Sequence, residues 1–346
     1  MKNFTNAFVG IAAVLFMIFG ATHPVFAQSP TVDAIKERNF LRCGVSVNLR
    51  GFSEPMDDGS WVGFDVDFCR AVSSAIFDDP DRVEYIPLNG SERFPALQRG
   101  DVDMLSRVTT WTFTRDVDLK LSFAGVDYYD GQGFLVSRSS GIRSATELKD
   151  ARVCVQSGTT TLLNLNDFSN VNDLNIEIIE VDANNEAFTL FRGRECDAYT
   201  SDVSSLAASL ALSSDPNFAV VLPDVISREP LSLVVAEGDD EFLDIVRWVL
   251  NAIIIAEELG LTSANVMEMA ESSDATPEVL RLLGVEGNMG EKLGLQADWA
   301  KMIIARIGNY GEIFARHLGP FTKLKLKRNL NRQFYDGGLI YAPPFR

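Results

Sequence analysis

From residue 41 onward, short apolar runs alternate with stretches of helical spacing, and after Ser139 the same rhythm starts again. No other feature restricts the fold as strongly. Strands that alternate with helices bury their apolar faces by laying the helices on an open, largely parallel sheet, not by forming a bundle or a sandwich. In the first unit, residues 41–47 read as a strand. Residues 65–77 carry Val66, Phe68, Cys69, Val72 and Ile76 on one helical face. A strand is expected at 83–87, then a helix over 91–98 with Ser91 as its N-cap ahead of Phe94 and Leu97. Gly100 ends that helix, and 102–105 is again a strand. The second unit has strands at 152–156, 176–181, 196–200 and 219–222. Its helices open at Gly158-Thr159-Thr160-Thr161 and cover 184–191 and 203–212. The break between the units falls between Gln132 and Ser139. From Asp239 the chain reads as mostly helical, over 242–259, 262–270, 297–310 and 311–317. There is no repeat at solenoid spacing and no low-complexity linker.

The N-terminus is an export signal. Lys2 precedes an apolar run over 7–21, and Val25-Phe26-Ala27 supplies small residues for cleavage after Ala27. The run falls short of the roughly 20 apolar residues that a spanning helix needs. No cysteine follows it closely, which argues against a lipid anchor. Residues 248–259 are interrupted by Asn251, Glu257 and Glu258, so no later segment is expected to span. The formal net charge of −17 gains one more negative unit once the leader with its single lysine is removed. Such an acidic chain lacks the basic footprint that nucleic acid or an anionic lipid surface requires.

Export makes disulfides available to the four cysteines, Cys43, Cys69, Cys154 and Cys196, which have no CxxC metal or redox spacing. Three connectivities are open. One bridge per α/β unit, Cys43–Cys69 and Cys154–Cys196, is the simplest, and four buried thiols are the alternative. Outside the leader only His317 remains, which disfavours histidine triads and histidine-rich metal sites. No metal and no cofactor are expected.

Six strings stand in an order that resembles the polar-amino-acid-binding proteins of ABC importers. They are Gly63-Phe64-Asp65-Val66-Asp67, then Ala96 to Asp103 (ALQRGDVD), Thr110-Trp111-Thr112-Phe113-Thr114-Arg115, Ser122-Phe123 with Tyr128-Tyr129, Val155 to Thr160 (VQSGTT), and Arg194 to Asp202 (RECDAYTSD). Asn251-Ala252, Gly308 to Glu312 and Tyr341-Ala342-Pro343-Pro344 extend the likeness to the end of the chain, toward the general L-amino-acid-binding branch. The resemblance implies an α/β, two-lobed type II periplasmic binding fold, with a hinge of two crossing strands and a C-terminal helical extension. Carried over, lobe 1 is 28–134 plus 233–346, lobe 2 is 135–222, and 223–232 is the second crossover. It further implies a monomeric periplasmic protein that binds L-amino acids and docks on an inner-membrane permease. The competing class is an enzyme on the same fold, resembling cyclohexadienyl dehydratase, because a fold does not fix a function.

A free amino acid carries a carboxylate and an ammonium on one carbon, and a cleft that excludes water must pair both. In the family the arginine of the T-x-x-R string forks onto the carboxylate, which points to Arg115. Taken alone, an arginine is an ordinary surface residue. Gly158, Thr159 and Thr160 open a helix whose free N–H groups would face the same carboxylate, unless they form only an N-cap. Asp202, at a strand end before a helix, is the candidate ammonium partner, and a plain N-cap is its alternative. Thr110 matches a family hydroxyl that contacts either ligand charge. Phe52 and Trp111 are candidates for packing on the ligand, against the alternative that large aromatics are core. Ser46 and Leu49 stand where relatives selective for basic amino acids carry an acid and an aromatic. A side-chain pocket without a fixed charge is therefore expected.

Overall fold

The computed structural model describes residues 29–346; the apolar run read above as an export signal and the cleavage expected after Ala27 lie outside the described residues. The strands are β1 (Leu41–Ser46), β2 (Glu54–Pro55), β3 (Trp61–Val62), β4 (Val83–Leu88), β5 (Met104–Leu105), β6 (Leu121–Asp130), β7 (Gln132–Ser137), β8 (Arg152–Gln156), β9 (Glu177–Val181), β10 (Ala198–Asp202), β11 (Ala219–Val221) and β12 (Glu229–Ala236). Two five-stranded sheets share them, in the orders β4-β1-β5-β12-β6 and β11-β7-β10-β8-β9. β1 runs parallel to β4 and β5, and β8 parallel to β9 and β10. The strands near each crossing, β6 with β12 and β7 with β10, pair antiparallel. This is the two-lobed α/β fold, and the chain crosses between its sheets twice. The first crossing has only Gly131 between β6 and β7, and the second lies between β11 and β12.

The helices are α1 (Pro30–Arg38), α2 (Phe64–Phe77), α3 (Arg93–Gln98), α4 (Thr160–Val171), α5 (Asn184–Arg192), α6 (Val203–Ala211), α7 (Asp240–Glu258), α8 (Val266–Glu271), α9 (Pro277–Leu282), α10 (Met289–Lys292), α11 (Trp299–Ile307) and α12 (Tyr310–His317). α2, α7, α11 and α12 press Phe64, Phe68, Val249, Ile253, Ile303 and Phe314 into one core against β1 and β12. Its aromatic centre is an edge-to-face cluster of Phe52, Phe64 and Tyr128, with Tyr310 packed edge-on to Phe64. The second sheet has a smaller core on each face, around Phe134 and Leu165 on one and around Leu135 and Tyr199 on the other. Among the described residues, no helix is long and apolar enough to cross a membrane.

Several local expectations change in the structure. Ser91 does not cap α3; Asn89 does the local work, its Oδ1 accepting from the N–H groups of Ser91 and Glu92. The helix expected over 297–310 stops at Ile307. Gly308 leaves with φ 95°, and Asn309 and Glu312 build a capping box that starts α12. The GFDVD string serves structure. A Cβ on Gly63 would lie 2.1 Å from the Phe52 carbonyl oxygen, so only glycine fits there. Asp67, almost fully buried, ties α2 to Arg316 and His317 of α12 at 2.5 and 2.6 Å.

All four cysteines are paired. Cys43–Cys69 fastens β1 to α2 within the first lobe, and Cys154–Cys196 joins β8 to the start of the β10 segment in the second. Of the three connectivities, the chain adopts one bridge per lobe.

Candidate ligand-binding cleft

Between the two sheets lies a polar cleft walled by Arg93, Arg107 and Thr110 from one lobe and by Gln156, Thr159–Thr161, Asn184, Thr200, Ser201 and Asp202 from the other. The first wall is made of segments that leave strands: Arg93 opens α3 after β4, while Arg107 and Thr110 follow β5. The second wall uses the end of β8 running into α4 and the end of β10 running into α6. Ends of neighbouring strands are where an open α/β sheet gathers ligands.

Thr159 caps α4, its hydroxyl accepting from the Leu162 N–H at 3.2 Å. The N–H groups at the start of α4 have no acceptor within the helix and face the cleft with the positive end of the helix dipole. Asp202 occupies the residue before α6 without capping it, so its carboxylate is left for the cleft. Burial and the negative charges of Asp130 and Glu229 hold the Asp202 carboxyl well above the ordinary range. Asp130 is pushed up to about 6, chiefly by burial.

Arg115 stands on a π-type turn over Thr114–Asp118 and is 6% exposed. It donates to the Thr110 carbonyl oxygen at 2.8 Å and lies over the Phe94 ring, beside the cleft wall. Burial lowers its pKa to about 10, while Glu229 and Asp202 favour its charged form. The Glu229 carboxylate, at the second crossing, gathers both lobes. It accepts from Thr110 at 2.5 Å, from Thr160 at 3.0 Å, from Asn164 at 2.9 Å and from Ser227 at 2.6 Å. Elsewhere the lobes touch directly. Thr110 Oγ1 is 3.3 Å from Thr160 Oγ1, and Arg93 donates to the Gly158 carbonyl oxygen at 3.2 Å. Gly90 and Gly158 meet backbone to backbone: a Cβ on Gly90 would lie 2.4 Å from the Ser157 carbonyl oxygen.

The family model for bacterial extracellular solute-binding proteins, family 3, matches residues 41–263. The chain belongs to this family. Among curated relatives of this solute-binding protein, the glutamate/glutamine/aspartate/asparagine-binding protein BztA of Rhodobacter capsulatus is 47% identical over 99% of both chains. The general L-amino acid-binding periplasmic protein AapJ of Rhizobium johnstonii is 46% identical over the full length of both. A solved ABC transporter periplasmic binding protein from Brucella ovis, with glutathione bound, is 48% identical. It superimposes with a TM-score of 0.89 over 92% of this chain and all of its own.

Thr110, Thr159, Thr160 and Asp202 therefore meet at one cleft, with Arg115 beside it and the Gly158 carbonyl at its rim. Two of the expected contacts do not. Phe52 is fully buried among Phe64 and Tyr128 in the first lobe's core. Trp111 lies 40% exposed, stacked on Phe123 with its indole N–H on Asp116 at 2.6 Å, and is not among the residues that line the cleft. Both aromatics find their partners within their own lobe. Arg93 and Arg107 also line the cleft, two fixed charges beyond the Arg115 and Asp202 expected at it. These two and Glu229 were missed from the sequence, where each is a charged residue outside the matched strings. The available signal was position: Arg93 and Arg107 each lie within five residues after a strand.

Proposed function

We propose that this solute-binding protein captures free L-amino acids outside the inner membrane and hands them to an ABC permease. The observation that carries the reading is the division of the cleft. Guanidinium groups come from one lobe, while an open helix N-terminus and the uncapped Asp202 come from the other. A zwitterion satisfies both walls at once: its carboxylate faces Arg115 and the first turn of α4, and its ammonium faces Asp202. Thr110 supplies a hydroxyl to either charge. Because the partners sit on opposite lobes, the ligand favours the closed arrangement, and the permease would read that closed shape. We place the lobe junctions at Gly131 and within residues 222–228.

The names of the relatives support an amino-acid ligand and a binding protein that performs no catalysis. Breadth follows from charges aimed at the backbone atoms that every amino acid shares. We further infer export with cleavage after Ala27, and a monomer as the working form. A mature mass that begins at Gln28 would support the first, and light scattering tests the second.

The deciding experiment is calorimetric titration of residues 28–346, unfolded and refolded to strip carried-over ligand, with the common L-amino acids and their D-isomers. Binding of several L-isomers with weaker D-isomers supports the reading. Silence across the set would remove it.

A further inference from the structure

The Glu229 carboxylate lies behind the cleft wall. It is 1% exposed and is not among the residues that line the cleft, yet two of its partners, Thr110 and Thr160, do line it. The partners divide by oxygen. Oε1 accepts from the Asn164 side-chain amide at 2.9 Å and from the Ser227 hydroxyl at 2.6 Å. Oε2 accepts from the hydroxyls of Thr110 at 2.5 Å and Thr160 at 3.0 Å, one from each lobe. A threonine hydroxyl has a single proton and two lone pairs, and a carboxylate can only accept. With both protons drawn to Oε2, the Thr110 and Thr160 oxygens, 3.3 Å apart, keep only lone pairs for the cleft. Turning either proton toward the cleft would strip a donor from a buried anion, which is costly.

We infer that Glu229 is a positioning residue: it fixes both hydroxyls as acceptors, so that the ligand's ammonium meets them and its carboxylate does not. This rests on the amino-acid reading above and deepens it, because Thr110 is then committed to one ligand charge. The α-carboxylate is left to Arg115 and the backbone N–H groups at the start of α4. An ammonium has three protons to place, and Asp202, Thr110 and Thr160 offer acceptors around one cleft. Because Thr110 and Thr160 come from opposite lobes, closure assembles this set. A ligand with an α-hydroxyl in place of the ammonium brings a single proton to the same acceptors. A site built on buried polar groups rejects a ligand that leaves them unpaired.

The test is calorimetry on the refolded mature protein with L-alanine, L-leucine and L-glutamate, each beside the L-2-hydroxy acid of the same side chain. The wild type should bind the amino acid at least about a hundredfold more tightly than the hydroxy acid. Glu229→Leu frees both hydroxyls to turn, and this ratio should fall at least about tenfold. Glu229→Gln still offers an oxygen to both hydroxyls and should keep the ratio within about threefold of the wild type. Both variants lack the charge, so the contrast between them separates hydrogen bonding from charge alone. Equal falls in the two variants overturn the inference. So does an unchanged ratio in Glu229→Leu, and so does a wild type that binds the hydroxy acids as tightly as the amino acids. If Glu229→Leu does not fold, neutron diffraction of the wild type with the tightest of the three amino acids decides. Hydroxyl deuterons of Thr110 and Thr160 directed at Oε2 support the inference, and deuterons directed at the ligand carboxylate overturn it. No binding of any amino acid by the wild type sinks the amino-acid reading itself, and this inference with it.

Discussion

The two lobes face each other with different chemistry and stand on different foundations. The first contributes buried cations from the segments that follow its strands, and its sheet is backed by α2, α7, α11 and α12 in one continuous core. The second contributes a helix N-terminus, hydroxyls and an acid, and its sheet separates two small cores. Neither wall alone can neutralise a zwitterion. Recognition is therefore assigned to the closed state, and the open state is left without a complete site. The contrast also separates where ligand selectivity is written, in the side chains of both walls, from where stability resides, mainly in the first lobe.

The strongest way to break this division is to remove one charge from each wall. Arg115→Ala and Asp202→Ala should each weaken amino-acid binding by about 2–5 kcal/mol, because the partner charge on the ligand is then buried alone. Calorimetry of both variants checks it. Near-normal affinity in either would remove that residue from its role and unbalance the proposed pairing.

The unequal foundations predict unequal dependence on the disulfides. Closing loops of 26 and 42 residues constrains the unfolded chain by about 3–4 kcal/mol each in the chain-entropy account. In the second lobe that contribution supports two small cores, so replacing Cys154 and Cys196 by serine should lower the melting temperature more than replacing Cys43 and Cys69. Calorimetric scans of the two double variants measure the difference. An equal or reversed order would mean that the second lobe draws its stability from contact with the first.

The same asymmetry governed what could be read from the amino acids. The βαβα rhythm located most strands and helices of both lobes, since each buries one simple apolar face. It did not locate β6, β7 or β12. Residues 121–130 mix Ser122, Asp127 and Asp130 with apolar side chains, and β12 pairs with β6 through two register shifts, so neither shows a clean alternation. At the cleft, Thr110, Arg115, Thr159, Thr160 and Asp202 could be found through strings that resemble a family. Arg93, Arg107 and Glu229 needed three dimensions, because only burial distinguishes a buried charge from a solvated one. Phe52 and Trp111 were misplaced for the converse reason: an aromatic beside a strand end serves a core as readily as a ligand.

Closure itself can be blocked without touching a charge. Gly90 on the first lobe has no positive φ, so alanine is tolerated by its own backbone, yet the added methyl would press on the Ser157 carbonyl oxygen of the second lobe. Overpacking of this kind costs about 1–3 kcal/mol. Gly90→Ala should weaken binding by that amount and leave the melting temperature of the ligand-free protein nearly unchanged. Unaltered affinity would show that the lobes need not approach so closely to hold a ligand.

The smallest effect is a pH dependence whose sign separates binding from folding. Asp127 is pushed up to about 7 and Asp130 to about 6, in each case first by burial, whereas in the unfolded chain both titrate near 4. The folded state binds these protons more tightly, so the stability they contribute at low pH is lost as pH rises through about 6–7. An ammonium arriving at Asp202 acts in the opposite direction, because it favours the charged forms of Asp202 and of the neighbouring Asp130 and so expels protons. Ligand affinity should therefore rise a few-fold between about pH 5.5 and 7.5, while the ligand-free melting temperature falls over the same interval. Titrations in two buffers of different ionisation heat count the protons released. Uptake in place of release would move the ammonium away from Asp202 and leave the acidic wall of the second lobe without its assigned partner.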